Sequence, residues 1–127
     1  TFDPPFPFGH FYQGHMDIFR WKNGQDIALI SSISPSDLWR IHFDLHKFLL
    51  NEKKDAWYNA SGSAIRRDVT GNSGNDIGNE IDLYAKYKNK NLDLWFGYSH
   101  FLAGNYVKET GFNTDMNWFF FQTTVNF

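Results

Sequence analysis

Met116-Asn117-Trp118-Phe119-Phe120-Phe121-Gln122-Thr123-Thr124-Val125-Asn126-Phe127 reads as one β-strand. Taken by twos from its far end, Phe127, Val125, Thr123, Phe121 and Phe119 form one set. Asn126, Thr124, Gln122, Phe120 and Trp118 form the other. The first set is apolar and aromatic, and the second turns polar toward Phe127. A period of two with unlike faces marks a strand whose two sides meet different surroundings. A soluble β-sandwich offers one such setting. A transmembrane β-barrel offers another, with aromatics facing outward at the membrane interface. The rest of the chain decides between them.

The same period recurs upstream. Over residues 38–50, Trp39, Ile41, Phe43, Leu45 and Leu49 take one side, with Lys47 as the exception. Arg40, His42, Asp44, His46 and Phe48 take the other. Over 79–88, Ile81, Leu83, Ala85 and Tyr87 oppose Glu80, Asp82, Tyr84, Lys86 and Lys88. Over 92–102, Leu92, Leu94, Phe96, Tyr98 and Leu102 oppose Asp93, Trp95, Gly97, Ser99 and Phe101. A helix would scatter these residues, whereas a strand separates them. Residues 25–34 are also strand-like, without a clear assignment of faces. Pro4, Pro5 and Pro7 exclude a central strand or helix interior at the start of the chain. Residues 10–21 fit a short strand or a helical turn, and Lys22-Asn23-Gly24 is a turn signal.

The connections alternate in length. Short turns fall at 35–37 and 89–91, a long loop at 51–78 and a medium one at 103–115. Short turns on one rim and long loops on the other is the pattern of an outer-membrane barrel. Strands of ten or more residues suit a tilted membrane crossing, which needs about 9–11. The expected fold is therefore all-β: an antiparallel transmembrane β-barrel, of which residues 1–127 supply the C-terminal five or six strands. Residues 1–24 read as an external loop segment, and Phe127 falls at the periplasmic end. The long 51–78 loop sits outside or folds inward as a constriction. Such barrels need at least eight strands, and an open sheet leaves edges that lipid does not tolerate. A chain that opens on Thr1 with no leader is accordingly expected to be processed or partial, with the remainder of the barrel as its first partner.

Composition agrees. Aromatics make up 20% of the 127 residues, yet the mean hydropathy is only −0.50. A barrel wall shows lipid at every second residue, so its average hides the apolar face. No apolar run approaches the roughly 20 residues of a membrane-spanning helix. A formal net charge of −2 argues against nucleic acid as a partner. The absence of cysteine excludes disulfides, thiolate metal sites and thiol nucleophiles.

Chemical motifs are sparse. His42, Asp44 and His46 share one face of a strand at alternate positions, a weak metal-ligand pattern with no evident further ligand. A polar wall accounts for them more simply. The Asp/Asn/Gly-rich run from Asp68 to Asp82 lacks the ligand order of a calcium loop, and a solvated loop accounts for it. No serine sits in a nucleophile elbow or at triad spacing. Trp57 and Tyr58 could stack on a sugar, or else anchor their loop to the rim. No cofactor and no enzymatic activity are expected.

Several stretches resemble the C-terminal part of the alginate-export family of outer-membrane porins: HFYQGHMDIFRWKN (10–23), NEKKDAWYNASG (51–62), RRDVTGNSGNDIGNEIDL (66–83), and GYSHFLAGNYVKETG (97–111) leading into MNWFFFQTTVNF (116–127). The resemblance implies a single-chain barrel of about eighteen strands, within the range of such barrels. It implies a location in the bacterial outer membrane, in contact with lipid and lipopolysaccharide. It also implies passive passage or export of a polar or charged solute, and the family's type member secretes a polyanionic polysaccharide through an arginine-rich pore. Arg40, His42, Asp44, His46, Glu80, Asp82, Lys86, Lys88 and Asp93 are the candidate pore-lining residues. Phe127, Val125, Phe121 and Phe119 are the candidate C-terminal signal for barrel assembly. The lining set holds Arg40, Lys86 and Lys88 against Asp44, Glu80, Asp82 and Asp93, a mixed balance for a pore built to pass polyanions. The competing expectations are a soluble β-sandwich that binds carbohydrate and a metal-dependent enzyme built on His42, Asp44 and His46.

Overall fold

The computed structural model describes residues 14–16, 18–19, 22–59 and 61–127. Five long strands form one antiparallel sheet: β1 (Gly24–Ser36), β2 (Trp39–Leu50), β5 (Asp76–Lys88), β6 (Leu92–Ala103) and β7 (Met116–Val125). Their spatial order is β1-β2-β5-β6-β7, with every neighbour antiparallel. Between β2 and β5 lies a small hairpin of β3 (Trp57–Tyr58) and β4 (Ala64–Arg66). One short helix, α1 (Asn105–Thr110), lies between β6 and β7.

The alternation read from the sequence sets the faces. The register pairs Arg40 with Lys86, His42 with Tyr84, Asp44 with Asp82 and His46 with Glu80. It continues through Glu80 with Phe101, Asp82 with Ser99, Lys86 with Trp95 and Lys88 with Asp93. All nine candidate lining residues thus share one face, here the polar face. On the opposite, apolar face, Phe43 meets Leu83, Ala85 meets Phe96, and Phe96 meets Phe121. β1, whose faces the sequence left open, sets Asp26, Ala28, Ile30 and Ser32 opposite Phe48, His46, Asp44 and His42.

Strand ends differ modestly from the sequence expectation. β5 begins at Asp76 rather than residue 79, because a bulge between Phe48 and Leu49 admits one more residue to the pairing. The loop after β2 is correspondingly shorter. Asn89 closes the tight turn between β5 and β6: its side-chain Oδ1 accepts from the Asn91 and Leu92 amides, both at 2.9 Å. That is the local reason an Asn serves there. The expectations for residues 2–9 and part of 10–21 lie outside the described residues. Within that stretch, residues 14–16 and 18–19 are not in a strand.

The sheet has two unlike ends. The 37–38 turn, the 89–91 turn and Phe127 lie at one, the short-turn end. The connections 51–75 and 104–115 lie at the other, the long-loop end. The buried core sits at the long-loop end and comprises Phe19, Phe48, Leu50, Trp57, Ile77, Phe101, Ala103, Tyr106 and Val107. Among the described residues, the apolar face has no comparable cover. Ile27, Leu29, Ile33, Phe43, Leu83, Phe96, Phe119, Phe121 and Val125 are all exposed.

Candidate functional site

The polar face is zoned along the strands. At the short-turn end stand the bases. Arg40 is exposed and reaches the Ser34 hydroxyl at 3.4 Å. Lys88 is exposed and lies 4.0 Å from Asp93. Lys86 is half-buried, with its ammonium 4.8 Å from the Trp95 ring centre and 5.7 Å from that of Tyr84. A hollow of about 630 Å³ opens here between Ser34, Trp39, Arg40, Lys86 and Lys88.

The middle zone holds the acids, withdrawn from solvent. Glu80 is 0% exposed, Asp82 1% and Asp44 5%. Asp44 and Asp82 stand directly opposite each other, an arrangement that repels unless donors surround it. The donors are present. Ser99 Oγ donates to Asp82 Oδ1, and the Ser31 amide donates to Asp44 Oδ1 at 3.3 Å. His46 contacts Asp26 through Nδ1 at 2.8 Å and approaches Asp82 through Nε2 at 3.9 Å. His42 stacks on Tyr84 with ring centres 4.4 Å apart. The two histidines are therefore committed to different partners. Among the described residues no group of three or more His, Asp or Glu side chains is arranged to hold a metal ion.

Sequence reasoning missed what covers the acids. Residues 14–16 lie against the polar face, and residues 18–19 pack toward the long-loop end. The Met16 amide donates to Glu80 Oε1 at 2.9 Å, and the His15 amide donates to Asp82 Oδ2 at 3.3 Å. The His15 ring packs edge-on to Tyr84 at 4.4 Å and stacks near Phe120 at 5.5 Å. Backbone donors leave no signature in sequence, so nothing in the stretch announced this contact. The outermost zone is apolar: Phe19 stacks on Phe48 at 4.6 Å, and Trp57 Nε1 donates to the Ile18 carbonyl at 3.1 Å.

The long connections are tied into this zone. Trp57 is buried and anchors its loop. Tyr58 donates to Asp55 at 3.1 Å while the Lys22 ammonium sits 4.7 Å from its ring centre. Desolvation, then the Asp55 carboxylate, push the Tyr58 phenol above its ordinary pKa. Arg66 donates to the carbonyls of Val107 and Phe112, and Tyr106 returns a bond to the Arg66 carbonyl at 3.1 Å. The Asp68 carboxylate accepts from the Thr70 hydroxyl at 2.6 Å and the Ser73 amide at 2.9 Å. Those bonds hold it well below the usual carboxylate range and close a turn, so residues 68–73 form a self-bonded loop, while the end of the Asp/Asn/Gly-rich run, from Asp76, belongs to β5.

A long-stranded antiparallel sheet with one polar, charge-zoned face and one apolar face left exposed among the described residues defines an all-β protein. The family model for alginate export matches residues 1–121, and the chain belongs to that family. It is a family of transport proteins, and membership agrees with an outer-membrane β-barrel. No curated protein and no solved structure matches the chain.

Proposed function

We propose that this sheet is one sector of a closed transmembrane β-barrel in the bacterial outer membrane, through which a polar or charged solute passes. The observation that carries the reading is the exposed apolar face formed by β1, β2, β5, β6 and β7. A continuous apolar surface of this extent is unusual on a soluble monomer and suits contact with lipid. Strand lengths of 10 to 13 residues support it, being enough to cross a hydrocarbon core at a tilt. β1 and β7 each pair on one side only within this sheet, and lipid demands partner strands at both edges. A carbohydrate-binding sandwich would need a second sheet on the apolar face, and none packs there among the described residues.

The solute-facing surface is the polar face. Asp44, Glu80 and Asp82 are buried and bonded, and Asp93 is half-buried beside Lys88, while Arg40 and Lys88 are exposed, so the charge offered to a solute is mainly positive. This favours anions, an anionic polysaccharide among them, despite a count of three bases against four acids. Outer-membrane fractions run boiled and unboiled test the barrel. A band that migrates faster unboiled, from a protein that conducts ions in planar bilayers, is expected. A soluble 14.9 kDa species indifferent to boiling would overturn the proposal.

A further inference from the structure

We infer that residues 14–16 form the size-limiting constriction of the channel, held against the wall by the Glu80–Asp82 pair. The inference rests on the channel reading above and concerns which residues set the solute's size limit. The 51–78 loop is the longer connection, but its described contacts tie it to the 104–115 connection and to Ile18, Lys22 and Asn23 at the long-loop end. Residues 14–16 instead descend to the middle of the wall, since Asp82 is the central residue of β5.

Three features fit the segment to this position. The first is directional bonding: successive amides of His15 and Met16 are aimed at two carboxylates on alternate residues of one strand. The second is a glycine that nothing else can replace. Gly14 has φ +84, and a Cβ there would lie 2.6 Å from Glu80 Oε1. Any side chain would meet both a strained backbone and the carboxylate itself. The third is a ring socket. Tyr84, Trp95 and Phe120 surround the His15 imidazole, with centres at 4.4, 5.7 and 5.5 Å. The same contacts explain why carboxylates stand in the wall at all. They serve as acceptors for the segment rather than as charges facing the solute.

The test uses the protein purified from outer membranes, studied in planar bilayers and in liposome-swelling assays with neutral polymers of graded size. Gly14→Val and Glu80→Ala should each release the segment. Conductance should then rise about twofold or more, and larger polymers should enter, as a wider pore requires. Unchanged conductance and an unchanged size limit, in variants that keep their heat-modifiable band, would overturn the inference. If both variants fail to assemble, Met16→Cys decides, because it keeps the backbone donor, its side chain is part-exposed whereas that of His15 is buried, and the sequence has no other cysteine. A fall in open-channel current on adding a charged thiol reagent supports the constriction, and an unaltered current overturns it. A wild-type protein that forms no channel would refute the channel reading instead, so the two failures are distinguishable.

Discussion

Asn23 shows how one residue joins parts distant in sequence. It is the one non-glycine among the described residues with positive φ, at 54°, a conformation Asn tolerates better than most. Its side chain donates to the carbonyls of Glu52 and Ala56, both at 3.0 Å, and accepts from the Glu52 amide at 2.8 Å. Its own carbonyl takes the Asn51 amide at 3.0 Å. The sequence marked Lys22-Asn23-Gly24 as a turn, and that was correct. The sequence could not show that the same amide also fastens the loop beginning at residue 51, because those partners are about thirty positions away. Asn23→Ala leaves buried loop groups without partners and forces Ala into positive φ. A buried group left unpaired costs about 1–3 kcal/mol. The expected outcome is a loop cut by protease at concentrations that spare the wild-type protein. Hydrogen exchange at the Glu52 amide should rise while the strands stay protected. An unchanged cleavage pattern would count against this hub.

At the scale of elements, the strands were legible because each has unlike surroundings on its two sides, which forces a period of two. β2, β5, β6 and β7 emerge close to their expected bounds. The faces of β1 did not, because Ile27, Leu29, Ile30 and Ile33 put isoleucine on both sides and blur the alternation. The helix α1 was read as loop, since six residues are too few to establish a 3.6-residue period. Gly97 was read correctly as polar-face, but its purpose is spatial. A Cβ there would lie 2.5 Å from the Tyr84 Cβ and 2.8 Å from the Phe120 ring. The missing side chain lets rings from β5 and β7 close over β6. Gly97→Val must push those rings apart, and overpacking of this kind typically costs about 1–3 kcal/mol. The expected result is a barrel that loses its fast-migrating form at a lower temperature than wild type. An unshifted transition would mean the rings are loosely held.

Over the whole molecule, the informative quantity is where the charges lie. A count along the polar face finds acids and bases nearly balanced, and the sequence offers no more than that count. The structure separates them by depth and by exposure. Arg40 and Lys88 stand open to solvent near the short-turn end, whereas Asp44, Glu80 and Asp82 are buried in the middle and bonded to donors. Sequence alone favours Arg40 and Lys86 as the pair whose reversal to Glu should turn selectivity toward cations. The structure shifts the second choice to Lys88, because the Lys86 ammonium lies against the Trp95 and Tyr84 rings. Reversing Lys86 would disturb packing as well as charge. Arg40→Glu with Lys88→Glu should therefore move the reversal potential of the intact channel in a salt gradient from anion-favouring toward cation-favouring. The shift has a second signature. Screening lengths are about 10 Å at 0.1 M salt and 3 Å at 1 M, so fixed charges near a wide opening act mainly at low salt. Selectivity of the double variant should differ strongly from wild type at 0.1 M and converge with it toward 1 M. An equal difference at both salts would mean that the substitutions changed the shape of the pore. No difference at either would mean that these bases do not face the solute, and the polar face would lose its assignment as the channel wall.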